Sequence, residues 1–141
     1  MNIRELNEND YLQYYQLINQ LRTTYYNQNQ FLTILNLIKK TSEIWIIELN
    51  NKIIATGTII YEHKFIHNLS ICAHIEDVCI DNNYRGQNYG IKIVEHLIKQ
   101  AEKKGCYKVI LDCDENLYNF YNKCGLEKKG IQMAKYYSAS L

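Results

Sequence analysis

The chain is predicted to be a mixed α/β (α+β) protein built on one sheet, antiparallel in its early part and crossed by a helix later. Three observations carry that prediction. Short β-branched runs with tight turn signals alternate with stretches of helical period. The longest amphipathic stretch lies between two strand-like runs, where a parallel pair requires a crossover. The length, 141 residues with 47% apolar and 22% charged, suits a single domain over 1–141 that buries its own core.

In chain order, "IREL" opens as a short strand, and Asp10 is the candidate N-cap for the next helix. Leu12, Tyr15, Ile18 and Leu21 recur at helical spacing, as do Phe31, Ile34, Leu35 and Ile38. "IWIIEL" and "KIIATGTIIYE" are strands joined by Asn50-Asn51, a good hairpin turn. "SICAHIEDVCI" is another strand. A helix follows from about Tyr89 to Lys104, with Ile91, Val94, Leu97, Ile98 and Ala101 on one face and Gly105 as its stop. "YKVILDC" is a strand, "NLYNFYNKCG" a short helix ended by Gly125, and "GIQMAKYY" a last strand. The order is β-α-α-β-β-β-α-β-α-β.

Bulk charge and cysteine usage exclude several classes. A net charge of +1 argues against non-specific binding to nucleic acid or anionic membrane. No apolar run reaches the length of a membrane span and "MNIRELNENDY" lacks a signal region, so a cytoplasmic protein is expected. Cys72, Cys79, Cys106, Cys113 and Cys124 make an odd count without a C-x-x-C pair. They read as reduced thiols in the core, with neither a metal site nor a cysteine nucleophile expected. His63, His74 and His96 carry no expected role, and His96 is expected at the surface.

The stretch "EDVCIDNNYRGQNYGIKIVEHL" is the main functional signal. A strand breaks into Asn82-Asn83, passes Arg85-Gly86-Gln87-Asn88-Tyr89-Gly90, and re-emerges as a helix. The loop lacks the Gly-Lys-Ser/Thr of a P-loop and the glycine spacing of a dinucleotide fingerprint. What remains is a helix N-terminus with outward N–H groups and one guanidinium, suited to a pyrophosphate. A plain helix start with glycines reads equally well from these residues alone.

Strand, Arg/Gln-x-x-Gly-x-Gly/Ala, helix resembles the acetyl-CoA cradle of the GNAT superfamily of N-acetyltransferases, and the element order matches that fold. "EHKFIH", "HIEDV", "YRGQNYG", "GCYKVILDCDEN" and "FYNKCG" together resemble the glucosamine-6-phosphate N-acetyltransferase family, from about residue 42 to 137. Two positions depart from the pattern. Asn88 replaces a glycine, and asparagine is the side chain that best tolerates a left-handed backbone. Arg22 replaces a threonine after the first helix, with Thr23 and Thr24 adjacent.

The resemblance implies acetyl transfer from acetyl-CoA to the 2-amino group of glucosamine 6-phosphate, by direct attack in a ternary complex, as a step toward UDP-N-acetylglucosamine. It implies that Val78, Cys79 and Ile80, the loop Arg85 to Gly90, Ile91, Asn116, Tyr121, Asn122 and Lys123 meet the cofactor. It places Lys64, Phe65, Ile66, His67, Glu76, Asp77, Val78, Tyr107, Lys108 and Asp112 at the sugar phosphate. Glu76, Asp112 and Tyr121 are the catalytic candidates, and no metal is implied. Family members are homodimers, so Lys135 or Tyr136 of the last strand is expected near a partner's pocket. An amine with a pKa of about 8 needs only a modest base, so a carboxylate or carbonyl that orients it suffices. A phenol of pKa about 10 stabilises a thiolate mainly by a hydrogen bond.

Each residue also has an ordinary structural reading. Asp112 caps a strand end, Lys64 and Lys108 are solvated charges, and Tyr121 is one core ring among 13 tyrosines. Glu76 and Asp77, adjacent in a strand, are expected on opposite faces and not as a dyad. Two other functions fit the loop: acetylation of a different amine (polyamine, antibiotic or protein N-terminus), and a non-catalytic acyl-CoA-binding module.

Overall fold

The computed structural model describes residues 1–137. Two compact units divide the chain, Met1–Leu111 and the segment from Asp112 onward.

The first unit is a five-stranded sheet in the order β1-β2-β3-β4-β5. Its strands are β1 (Asn2–Glu5), β2 (Ser42–Leu49), β3 (Lys52–His63), β4 (Ile71–Ile80) and β5 (Lys108–Ile110). All neighbours pair antiparallel except β4 and β5, which run parallel. Helices α1 (Tyr11–Leu21) and α2 (Gln28–Ile38) follow β1, and α4 (Tyr89–Lys104) supplies the crossover from β4 to β5. A single turn, α3 (Ile66–Leu69), joins β3 to β4.

Why these segments form these elements follows from local chemistry. Asn50 and Asn51 both take positive φ (50° and 64°), as a two-residue hairpin turn that matches strand twist requires. Residues 53–59 of β3 are all buried, Thr56 and Thr58 among them, so both faces of this strand are covered and it shows no alternation of buried and exposed positions. Helix α4 buries Ile93, Val94, Leu97 and Ala101, and ends at Gly105 with φ 79°, the left-handed cap that glycine adopts most easily.

Several expectations are corrected. The buried face of α1 is Tyr14 and Leu17, with Leu12 61% exposed; that of α2 is Phe31 and Leu35, with Ile34 51% exposed. Period alone left the helix rotation open by one position. Asp10 is the N-cap residue of α1 as expected, but its side chain makes no capping bond to that helix: it reaches back to the Asn7 N–H at 2.8 Å, in a capping box with Asn7, which caps the preceding 3-10 turn. His96 is half-buried against Trp45, ring centroids 4.3 Å apart, because α4 lies close to β2. Of the five thiols only Cys72 and Cys79 are buried, and Cys113 is exposed.

The second unit holds a 3-10 turn (Glu115–Leu117) and helix α5 (Tyr118–Lys123). Gly125, φ 95°, follows the helix as expected. The predicted last strand is absent: residues 131–137 form no regular element, and Ile131 and Met133 are each 92% exposed. A strand exists by pairing, and this unit contains no other strand among its described residues.

A partly buried ion pair ties β1 to the turn before α1. Arg4 forks onto Asp10 at 2.8 and 3.0 Å and reaches Glu48 at 3.2 Å. Burial pushes the Asp10 carboxyl up, but the Arg4 bonds and the Asn7 N–H outweigh it and hold the pKa low. A depressed folded pKa means stability present above the unfolded value, about 3.9, and lost as pH falls through the lower folded one. The melting temperature is therefore expected to fall on acidification below about pH 4, and Arg4→Gln to cost about 2–3 kcal/mol at pH 7 by stranding Asp10. A pH series of thermal melts on both proteins checks this; equal stability of Arg4→Gln at neutral pH refutes it.

Candidate active site

The middle of β4 is broken by a bulge. Glu76 pairs with Thr58 and Cys79 with Thr56, so Asp77 and Val78 together face the single residue Gly57. Asp77 takes φ 51° inside the strand. Such a bulge takes backbone groups out of the ladder and re-aims side chains. The bulge interrupts the period of two at this point, and Glu76 and Asp77 are both exposed. Gly57 makes the arrangement possible. A Cβ there would stand 2.8 Å from Leu97 Cδ1 and 3.6 Å from Val78 Cγ2, so its absence lets α4 settle onto the bulge. A glycine inside a strand run is itself a bulge signal, and "ATGTI" carried it.

Cys79 is buried, and its Sγ donates to the Leu17 carbonyl at 3.4 Å. Burial pushes its thiol pKa up, which suits a packing role and not a nucleophile. Tyr14, buried in the same core, has its phenol held well above the ordinary range by burial, then by Tyr26 and Asp77.

Beyond β4 the chain forms the loop that the sequence singled out. Asp81 accepts from the Asn83 N–H at 2.8 Å. Gln20 of α1 closes a two-point clamp, accepting from Asn82 N–H at 2.8 Å and donating to Asp81 at 3.3 Å. Lys52 adds an ion pair to Asp81 at 3.6 Å. Burial opposes ionisation of Asp81, but the Asn83, Gln20 and Lys52 contacts prevail and hold its pKa low. Nothing local in the sequence marks Gln20, whose contacts lie 61 and 62 residues away.

The loop itself turns on two left-handed residues, Gly86 (φ 76°) and Asn88 (φ 67°). Asn88 thus adopts the conformation proposed for it at the glycine position. Its side chain makes no capping bond to α4, so the first N–H groups of that helix, from Tyr89, Gly90 and Ile91, receive no cap from it. Arg85 Nε donates to the Ile80 carbonyl at 3.4 Å, holding the guanidinium beside the loop. Nothing lies within 4 Å of the Gly86 Cβ position, so the loop is open where an anion would approach. These features fit a pyrophosphate.

Gly86→Ala introduces a left-handed cost of about 1–2 kcal/mol, or about 5- to 30-fold in acetyl-CoA affinity if the loop must keep its shape. Gly86→Glu is expected to lose more, by adding negative charge, and Arg85→Ala to weaken binding by removing positive charge. Calorimetric titration with acetyl-CoA reads all three, and unchanged affinity in folded Gly86→Glu refutes the cradle.

At the other end of β4 the sugar-phosphate candidates gather. His67 and Asn68 are left-handed (φ 51° and 59°), and the His67 ring stacks on Tyr107 at 4.4 Å. Lys108 stands opposite Cys72 on β5, its Nζ 5.4 Å from the Tyr107 ring centroid. Lys64 pairs with Glu62 at 3.2 Å. Phe65 and Ile66 are 93% and 58% exposed on the same turn. Lys64, His67, Tyr107 and Lys108 thus share one end of the sheet. Glu76 does not join them: it lies four residues along β4 from Cys72, about 13 Å at 3.3 Å per residue.

In the second unit, Asp112 lies outside any strand, since β5 ends at Ile110. Its Oδ2 accepts from Gln132 Nε2 at 3.1 Å. Asn116 is in the 3-10 turn, while Tyr121, Asn122 and Lys123 form the last turn of α5. Tyr121 meets Phe120 edge-on at 4.8 Å, and its carbonyl accepts from the Cys124 N–H at 3.0 Å. Asn122 Nδ2 donates to the Leu126 carbonyl at 3.0 Å.

The acetyltransferase (GNAT) family model matches residues 3–126. Glucosamine 6-phosphate N-acetyltransferase 1 of Dictyostelium discoideum is 43% identical over 128 residues, 87% of this chain and 82% of that protein. Glucosamine 6-phosphate N-acetyltransferase of Arabidopsis thaliana is 48% identical over 90 residues, 64% of this chain and 60% of its own length. The crystal structure of glucosamine-6-phosphate N-acetyltransferase from Arabidopsis thaliana superposes with a TM-score of 0.93 at 38% identity, covering 97% of this chain and 98% of that one.

Proposed function

Because the chain belongs to the acetyltransferase (GNAT) family, we propose that it transfers the acetyl group of acetyl-CoA to the 2-amino group of D-glucosamine 6-phosphate. The products are N-acetyl-D-glucosamine 6-phosphate and CoA. The observation that carries the reading is the pairing of the open left-handed loop at Gly86 and Asn88 with a bulged β4, in a chain 43% identical to an enzyme of that name.

Acetyl-CoA supplies the activated acetyl group as its thioester. The loop from Arg85 to Ile91 holds the pyrophosphate through backbone N–H groups and one guanidinium. Val78, Cys79 and Ile80 offer main-chain groups beside the bulge, where ladder pairing is interrupted. Glu76, with Asp77, orients the sugar and its amine, and Asp112 is assigned to the amine by sequence similarity. Tyr121, with Asn116, Asn122 and Lys123 beside it in sequence, is assigned to the leaving thiolate and the cofactor on the same ground. Since the acceptor amine is partly neutral at pH 7, positioning contributes more than base strength.

Lys64, Phe65, Ile66, His67, Tyr107 and Lys108 are assigned to the sugar phosphate. Their separation from Glu76 along β4 favours a homodimer in which a second copy completes the site. The exposed segment with Lys135 and Tyr136 is where a partner would be met. The reaction belongs on the route to UDP-N-acetylglucosamine, and a cytoplasmic setting suits the free thiols. Among the described residues no helix is long and apolar enough to cross a membrane.

The test is thiol release from acetyl-CoA with glucosamine 6-phosphate, beside glucosamine, a polyamine and an aminoglycoside. Release with the sugar phosphate above all others supports the proposal. Release with another amine moves the chain to a different acceptor, and tight acetyl-CoA binding without release makes it a binding module.

A further inference from the structure

Three side chains of different donor type meet on the β3–β4 hairpin, at the end of the sheet where Lys64 and Lys108 also stand. Glu62 and Cys72 face each other across the antiparallel pair, and His74 lies two residues past Cys72 on the same strand. Period-two alternation therefore puts Cys72 and His74 on one face, and cross-strand pairing adds Glu62 to it. One carboxylate oxygen, the thiol sulfur and an imidazole nitrogen all lie within 4.8 Å of one another. Spacing in the sequence does not announce this set, since no ligand motif joins residues 62, 72 and 74.

We propose that Glu62, Cys72 and His74 bind a divalent ion of the zinc class. Tetrahedral coordination at the usual bond lengths separates donor atoms by about 3.4–3.6 Å, so the present spacing needs only side-chain adjustment. His74 Nε2 now sits 2.9 Å from Glu62 Oε1; on binding, the neutral imidazole coordinates through Nε2 with its proton on Nδ1, and the Cys72 thiol gives its proton to solvent. Glu62 does not have to release Lys64, which is held at 3.2 Å by the other oxygen, Oε2. One sulfur, one imidazole and one carboxylate favour zinc, or cobalt in its place, over the all-oxygen preference of magnesium or calcium. Three protein donors leave a fourth position for water. The backbone holds the donors in register on paired strands, so little ordering is required on binding.

The full-length reduced protein is titrated with Co²⁺, a spectroscopic substitute for Zn²⁺. One equivalent is expected to bind, with a tetrahedral visible spectrum and a sulfur-to-cobalt charge-transfer band. Cys72→Ser is expected to abolish that band. His74→Gln, at a partly exposed side chain, is expected to weaken binding by more than the about 10- to 100-fold that outer partners of a metal site contribute. Cys113→Ser, removing an exposed thiol, is expected to change neither spectrum nor affinity. An octahedral spectrum without the sulfur band overturns the proposal, as does a sulfur band that survives Cys72→Ser. Should Cys72→Ser fail to fold, His74→Gln decides, and undiminished Co²⁺ affinity in that variant overturns the site.

Discussion

Glucosamine 6-phosphate is expected to exceed glucosamine by about 10²- to 10⁴-fold in kcat/KM, from two charge-assisted bonds at roughly 1.5–3 kcal/mol each. Lys64, His67 and Lys108 carry the expectation. The structure sets them at one end of the sheet, with His67 stacked on Tyr107 and Lys108 beside that ring. Lys108→Ala is expected to shrink the ratio by slowing the phosphorylated sugar, leaving the weak reaction with glucosamine nearly unchanged. Added salt lowers the preference modestly, since a partly enclosed phosphate is only partly screened. Steady-state kinetics with both sugars check this. Equal kcat/KM for the two in the unmodified protein removes the phosphate specificity and leaves a generic acetyltransferase.

Tyr121→Phe is expected to lower kcat by about 10- to 100-fold with a smaller effect on KM, because its hydrogen bond is strongest once the thiolate has formed. The hydroxyl is the only group removed, and the edge-on contact with Phe120 is kept by the phenylalanine ring. A folded variant with full turnover returns Tyr121 to a packing role. Loss confined to KM assigns it to binding instead.

Elements whose signal is local were legible. The Asn50-Asn51 turn, the span of α4 and its stop at Gly105 follow from backbone preferences that neighbours in sequence decide. Asn88 belongs with them: its left-handed backbone was anticipated from the side chain alone. Elements that depend on a partner surface were not. The rotation of α1 was misplaced because the apolar residues Leu12 and Leu21 sit at helical spacing yet remain at the surface, while Tyr14 and Leu17 face the sheet. The last strand was expected from its pattern, but a β-prone segment becomes a strand only against another edge.

By itself the sequence determined the strand–loop–helix that suits a pyrophosphate, since glycine, asparagine and helix-terminus chemistry act over a few residues. It also determined the mixed sheet, since hydrophobic period and turn residues are local quantities. Tertiary structure alone decided the rest of the site. It set Gly57 opposite Asp77 and Val78, brought Gln20 to the root of the loop, and stacked His67 on Tyr107. These contacts join residues 20 to 62 positions apart, and register and packing select them. A sequence read along one dimension carries no distance between strands, so such neighbours become visible only once the sheet has closed them together.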